Sequence, residues 1–333
     1  MSEAVRQTSW LEEYEAVRGD SGVGVIDFSS HGLIEVTGAE AVMFLNGLIT
    51  NDVKTLEENS WMLAAFPNVQ GRLLAIARVL HIGDKFLFDT QAATKETILN
   101  NLSRFTLAGD FRVTDLSDEI NVLSIQGAKA DEIVRNVFGD ESVNIKQNKI
   151  ASINNGFIIK TENGFDVFAS SNDFESVKNS LLNAGAKPVG EDAFEVLRIE
   201  SGTPRYGVDM NETTVVLETG LDDAVNFKKG CYVGQEIIAR IHFRGHVAKK
   251  LTGILLEAEG AIKPEDKIKN ADGTKEIGRI TSAAFSPKLN TTVALGIVRY
   301  EHLANGTDIL VVSDEKELKA KVVDLPHINN NAA

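Results

Sequence analysis

Twice in this chain an alternating, β-branched run passes through a Gly-Ala step into a helical pattern. In IEVTGAEAVMFLNGLIT the apolar residues 41, 42, 45, 48 and 49 return at helical spacing. Thr37 and Glu40 stand where a capping box would start that helix. In LSIQGAKADEIVRNVF, Ile133, Val134, Val137 and Phe138 can form one face of a second such helix. Strand-like WMLAAF, RLLAIARVL and KFLFDT and helical AATKETILNNLSRF follow the first copy; GFIIKTE, GFDVFAS and helical DFESVKNSLLNAG follow the second. The same order met twice predicts two α+β halves.

A third helical stretch, EDAFEVLRIESG, leads into TPRYGVDMNETTVVLETGLDDAVNF, whose Gly, Pro and Asp punctuation predicts a long surface loop. From about Ala248 the pattern becomes short β segments, KLTGILLE, EIGRITSAAF, TVALGIVRY, TDILVVS and LKAKVVDL, at the spacing of a small barrel or sandwich. At 333 residues the chain is too long for one core. The expected division is a first lobe at 1–115, a second at 116–247, a β domain at 248–328 and a frayed tail at 329–333.

The formal charge of −14 repels nucleic acid and anionic membrane except where bases cluster. No apolar run has the length of a membrane span, and the N-terminus lacks a signal-peptide pattern, so a cytoplasmic location is expected. One cysteine cannot form an internal disulfide, and iron–sulfur clusters want several thiolates.

That cysteine lies in KKGCYVGQEIIARIHFRGHVAKK, residues 228–250, where six lysines and arginines face a single glutamate. A small anionic ligand is expected there. Lys228 and Lys229 precede Cys231, Gly230 and Gly234 permit close backbone approach, and GQEIIARI reads as a helix starting just after it; these features favour thiolate, against the alternative of a small buried hydrophobe. His242 and His246 stand at metal-ligand spacing, but Gly245 ends the helix between them and no third ligand is near, which favours two loop histidines. The glycines of GDSGVGVID lack the order of a dinucleotide turn and shape a turn into a strand instead. Glu200 sits where a helix gives way to loop; an exposed acid is the common outcome, whereas a buried carboxylate could accept two parallel hydrogen bonds from one edge of a pterin.

KGCYVGQE resembles the signature of the YgfZ/Iba57 family, folate-binding proteins related to the aminomethyltransferase, or T-protein, of the glycine cleavage system. GVIDFSSHGLIEVTGAEAVMFLNGLITNDV, NVQGRLL, LRIESGTPRYGVDM and GRITSAAFSPKLNTTVALGIV extend the resemblance over nearly the whole chain. It implies two ferredoxin-like, T-protein-like lobes and a C-terminal β-barrel around a central opening that binds tetrahydrofolate. It further implies that Glu200 holds the pterin edge and that Lys228 or Lys229 meets the glutamate tail. Lys229, Gly230, Cys231, Tyr232, Gly234, Gln235 and Glu236, followed by Arg240, match the signature of the YgfZ-like branch, with Cys231 beside the folate. T-proteins carry acids just after the glycine turn, one of which assists aminomethyl transfer; here Ala75 and Ile76 take their place. Asp89 or Asp110 could substitute only if the fold turned one of them inward.

Three functions compete. The first is a folate-dependent accessory to iron–sulfur cluster assembly or repair that uses Cys231, has iron–sulfur proteins as partners and supports tRNA modification indirectly. The second is a tetrahydrofolate-dependent aminomethyl or other one-carbon transferase, with a lipoyl protein or small amine as partner. The third is a folate-storage module in which Cys231 is structural.

Overall fold

The computed structural model describes residues 3–107, 109–154, 156–257 and 260–328. The tail expected to fray at 329–333 lies outside the described residues. Contacts divide the chain into two compact units. The first comprises Met1–Pro67, Leu74–Phe194 and Asp223–Val233; the second comprises Asn68–Leu73, Glu195–Asp222 and the chain from Gly234 on.

The first unit opens with α1 (Glu3–Arg18), β1 (Gly24–Asp27), β2 (Gly32–Thr37) and α2 (Ala41–Leu48). The antiparallel strands β3 (Ser60–Pro67), β4 (Leu73–Ile82) and β5 (Lys85–Thr90) then lead through α3 (Ala92–Ser103) to β6 (Arg112–Asp115). The second recurrence gives β7 (Ile120–Gln126), α4 (Ala130–Phe138), β8 (Ile150–Ile153), β9 (Gly156–Thr161), β10 (Gly164–Ser170), α5 (Phe174–Asn183) and β11 (Lys187–Val189). Two sheets result, in the orders β3-β4-β5-β2-β6 and β11-β1-β7-β10-β9-β8. Strand β1 pairs with β7 and β11, so the start of the chain completes the second sheet rather than the first.

Period-2 alternation decides which face each strand residue serves. Ala75, Ala77 and Val79 of β4 join Phe86 and Phe88 of β5 under α2 and α3, and Phe165 and Val167 of β10 lie with α4 and α5. The opposite faces of the two sheets meet through Leu33, Leu80, Leu87, Val122, Ile159 and Phe168. Arg78 lies on this inner face. It pairs with Asp89 at 2.5 Å and with Asp166, while His31 Nδ1 lies 2.9 Å from Asp89.

The capping box expected at Thr37 and Glu40 does not form. Helix α2 begins with Glu40 as its cap residue but without a side-chain cap bond; the Glu40 carboxylate accepts from the Asp110 amide at 2.8 Å. A tertiary partner has taken the side chain that local pattern assigned to the helix start.

Helix α6 (Glu191–Glu200) enters the second unit, which continues with α7 (Gln235–Arg244) and six strands: β12 (Lys249–Leu256), β13 (Lys267–Asn270), β14 (Glu276–Ser286), β15 (Thr291–Arg299), β16 (Asp308–Ser313) and β17 (Lys316–Val323). They close into a barrel in the order β12-β15-β14-β13-β16-β17, filled by residues such as Ile254, Ile268, Ile280, Val298 and Val311. Five of these strands match the segments named from pattern. The sixth, β13, is the four-residue KIKN, too short and polar to show alternation. The architecture is thus α+β with a C-terminal β-barrel. No described helix is long and apolar enough to cross a membrane.

Candidate functional site

In the first unit, residues 223–233 are stitched to the turn after α2. Thr50 Oγ1 donates to the Ala224 carbonyl at 2.5 Å, Asn51 Nδ2 to that of Asp223 at 2.9 Å, and the Asn226 and Val233 amides reach the carbonyls of Thr50 and Gly47. Lys229 completes the seam. Its side chain is buried, and Nζ donates to the Ile49 carbonyl at 2.8 Å and the Asn51 carbonyl at 2.6 Å while lying 5.1 Å from the Tyr232 ring centre. Burial pushes the Lys229 pKa down to about 8, with Asp52 opposing and Lys54 adding to the shift. Tyr232 is also buried, and burial pushes its phenol up to about 12.

Lys228, Gly230 and Cys231 are exposed between these anchors. Burial therefore splits the motif: Lys229 and Tyr232 face the protein, while Lys228 and the thiol face outward. Of the two lysines considered for an anionic tail, Lys228 is the one on the surface. Cys231 is not the small buried hydrophobe of the competing reading.

The second unit holds the rest of the motif. Gly234 precedes α7 with φ +78, and a Cβ there would meet the Asn68 carbonyl oxygen at 2.4 Å. That carbonyl belongs to the NVQG turn, in which Asn68 Oδ1 accepts from the amides of Gln70 and Arg72. Gly71, with φ +71, in turn approaches Ile237 and Ile238. The two glycines let turn and helix start touch, a contact no single-segment reading could show. Gln235 is partly buried, and Glu236, Arg240 and His242 are exposed. Among the described residues, no group of three His, Cys, Asp or Glu side chains is placed to hold a metal ion.

Glu200, the last residue of α6, is fully buried, not the exposed acid that is the common outcome. Ser286 Oγ donates to its Oε1 at 2.6 Å, and the Ile328 amide donates to its backbone carbonyl. His327 donates from Nε2 to the Ala294 carbonyl at 3.0 Å, and burial holds its pKa below the usual value despite the opposing pull of that carbonyl and of Glu200. The loop after α6 is fixed by Arg198, which binds Asp209 at 2.9 Å; Asp209 also accepts from Thr281 and Ser282 of β14. Ser286 and this anchoring were not foreseen, because SAAFSPKLN reads only as a strand running into a turn.

The acids weighed as stand-ins for Ala75 and Ile76 are committed elsewhere. Ala75 points into the core under α2 and α3, and β4 contains no carboxylate. Asp89 is buried; burial alone would raise its pKa, but Arg78 and His31 overcome that and hold it well below the usual carboxylate range. Asp110 is exposed, accepting from the Ala39 amide and pairing with Arg112 at 2.9 Å.

Comparison with known proteins agrees with this architecture. Residues 2–229 match the GCVT N-terminal domain and residues 249–328 the glycine cleavage T-protein C-terminal barrel domain. The aminomethyltransferase of Caldanaerobacter subterraneus subsp. tengcongensis is 30% identical over 339 residues, spanning 96% of this chain and 88% of its own. That of Bacillus cytotoxicus is 29% identical, spanning 97% and 90%. The structure of glycine cleavage system aminomethyltransferase T from Bartonella henselae superposes with a TM-score of 0.88 at 21% identity, over 96% of this chain and 90% of that one. Two domain matches in the expected order, on a lobe-and-barrel architecture, establish that this chain belongs to the glycine cleavage T-protein family.

Proposed function

We propose that the chain binds tetrahydrofolate but does not use it for aminomethyl transfer, serving instead as a YgfZ/Iba57-like accessory to iron–sulfur cluster assembly or repair, with an indirect effect on tRNA modification. One observation carries this reading: β4 offers no carboxylate where T-proteins place theirs, and Asp89 is held as an ion-pair partner of Arg78. Aminomethyl transfer needs a group that can move a proton at the folate nitrogen, and an alanine packed in the core has none.

The residues present suit the ligand. Glu200 is a buried carboxylate, the acceptor type that paired N–H donors such as those of a pterin edge take. Lys228 and Arg240 are exposed cations of the kind that the carboxylates of a glutamate tail attract. When bound, tetrahydrofolate would supply the one-carbon chemistry, while Cys231 would supply an exposed thiol.

The second reading, a tetrahydrofolate-dependent aminomethyl or other one-carbon transferase, is favoured by the name aminomethyltransferase that the relatives carry. One experiment separates the two. Tetrahydrofolate binding is measured by calorimetry, and the same protein is then given an aminomethylated lipoyl carrier protein while methylenetetrahydrofolate is followed. Binding without turnover is expected. Turnover at the rate of a genuine aminomethyltransferase would establish the second reading, and absence of binding would remove both.

A further inference from the structure

We infer that the cavity beside α2 binds a free α-amino acid with an apolar side chain. The inference goes beyond the folate reading, none of whose residues lines this cavity.

The cavity measures about 380 Å³, at the small end of the range for ligand pockets. It lies where the start of α2, the Val53–Thr55 turn and the β4–β5 hairpin come together. Ala41, Val42, Val53, Leu56 and Phe86 give it apolar walls, and the same residues belong to the core under α2 or pack on it, so the packing of the lobe fixes its shape. Strands β4 and β5 are joined by the two-residue turn Gly83-Asp84, which Gly83 permits with φ +61 and which brings Asp84 to the lining. Asp52 Oδ1 accepts from the Lys54 amide and so fixes the backbone from which that lysine extends.

Three polar groups interrupt the apolar walls. Lys54 and Asp84 are exposed, and their side chains have no hydrogen-bond or ion-pair partner among the described residues, not even each other. Opposite charges that line one cavity without meeting suit a ligand that carries both. His81 is stacked on Phe86 with ring centres 4.6 Å apart, and its Nδ1 donates to the Leu56 carbonyl at 2.9 Å, so Nε2 of the neutral ring is an acceptor. Nε2 has no partner among the described residues, where every buried side-chain nitrogen and oxygen has one; this nitrogen is therefore open to solvent. An α-amino acid brings the matching set: a carboxylate for Lys54, an ammonium for Asp84 and His81 Nε2, and a side chain for the walls. A carboxylate alone leaves Asp84 unmatched, an amine alone leaves Lys54 unmatched, and a polar side chain loses water against apolar walls without gaining a partner.

The test uses the full-length protein and NMR titration with phenylalanine, with 3-phenylpropionate, which lacks the ammonium, and with phenethylamine, which lacks the carboxylate. Phenylalanine is expected to bind with a Kd of about 1 mM, the level that about a dozen heavy atoms reach at modest efficiency. Each analogue is expected to bind about fivefold more weakly, the upper range for a solvent-exposed ion pair. Lys54→Gln should weaken phenylalanine by that factor and leave phenethylamine unchanged, and Asp84→Asn should weaken phenylalanine likewise and leave 3-phenylpropionate unchanged. Val42→Phe, which fills the cavity, should abolish binding of all three. No binding of phenylalanine at about 10 mM, an analogue that binds as tightly as phenylalanine, or charge variants that weaken nothing or weaken every ligand alike would each overturn the inference. So would a folded Val42→Phe protein that still binds; should that variant not fold, the two surface substitutions carry the test alone.

Discussion

Replacing Lys229 with Met keeps most of the side-chain volume and removes the donor that closes the seam between residues 49–51 and the KGC segment. Ile49 is fully buried, and stranding its carbonyl costs about 1–3 kcal/mol. The Asn51 carbonyl is half-buried and regains water, so it adds little. Loss of the cation over Tyr232 contributes about 0.5–1 kcal/mol. Relief from burying an ammonium works in the other direction. The expected net loss at pH 7 is about 2–3 kcal/mol by urea denaturation.

The pH dependence tests the cause. Burial lowers the Lys229 pKa from 10.5 to about 8 in the folded protein. Between those values the unfolded chain holds a proton that the folded chain has released, so unfolding takes up protons and stability rises with pH. A neutral amine still has two N–H groups, enough for its two carbonyls. The stability gap between wild type and Lys229→Met should therefore widen from pH 8 to about pH 10. A gap that narrows over that range would mean the ammonium is favoured by its surroundings, and a gap below about 0.5 kcal/mol at pH 7 would mean the seam is not held by this side chain.

Asp89→Asn removes a buried carboxylate, leaves the partly buried Arg78 with Asp166 alone and should cost about 3 kcal/mol at neutral pH. Because the Asp89 pKa is held low, this contribution is present above the ordinary carboxylate range and fades only as acid protonates the folded form, so acid denaturation of wild type and variant should converge at low pH. Gly234→Ala forces a Cβ into the left-handed region and against the Asn68 carbonyl, for a loss of at least about 1–2 kcal/mol, and an unchanged thermal midpoint would contradict that contact. A thiol-specific reagent should label Cys231 in the folded protein at a rate close to that after unfolding, whereas protection until unfolding would contradict its exposure.

Features with a local period were readable from sequence. The two strand-to-helix passages appear as β2–α2 and β7–α4, and α3, α5, α6 and α7 lie where apolar spacing put them. Features set by distant partners were not. Nothing near residue 24 says that β1 will pair with β7 and β11, since the register depends on strands about 100 and 160 residues away. Lys229 reads as one more cation in a basic run, yet its carbonyl partners lie 180 and 178 positions back. The position of Glu200 at a helix end is legible, but its burial depends on the β14–β15 hairpin and a C-terminal segment that only the fold brings to it.

The seam at residues 47–52 also bears on the order in which the protein can be made. Its partners at 224, 226, 229 and 233 are the last residues of the first unit to leave the ribosome, long after both sheets are available. During synthesis Thr50 can already bond Ala65 of β3, but the Ile49 and Asn51 carbonyls must remain hydrated or take temporary partners, so the turn after α2 stays unsealed on that side until residue 233 has emerged. A nascent chain stalled at residue 222 should therefore leave that turn open to protease, and one stalled some forty residues past 233, clear of the exit tunnel, should close it.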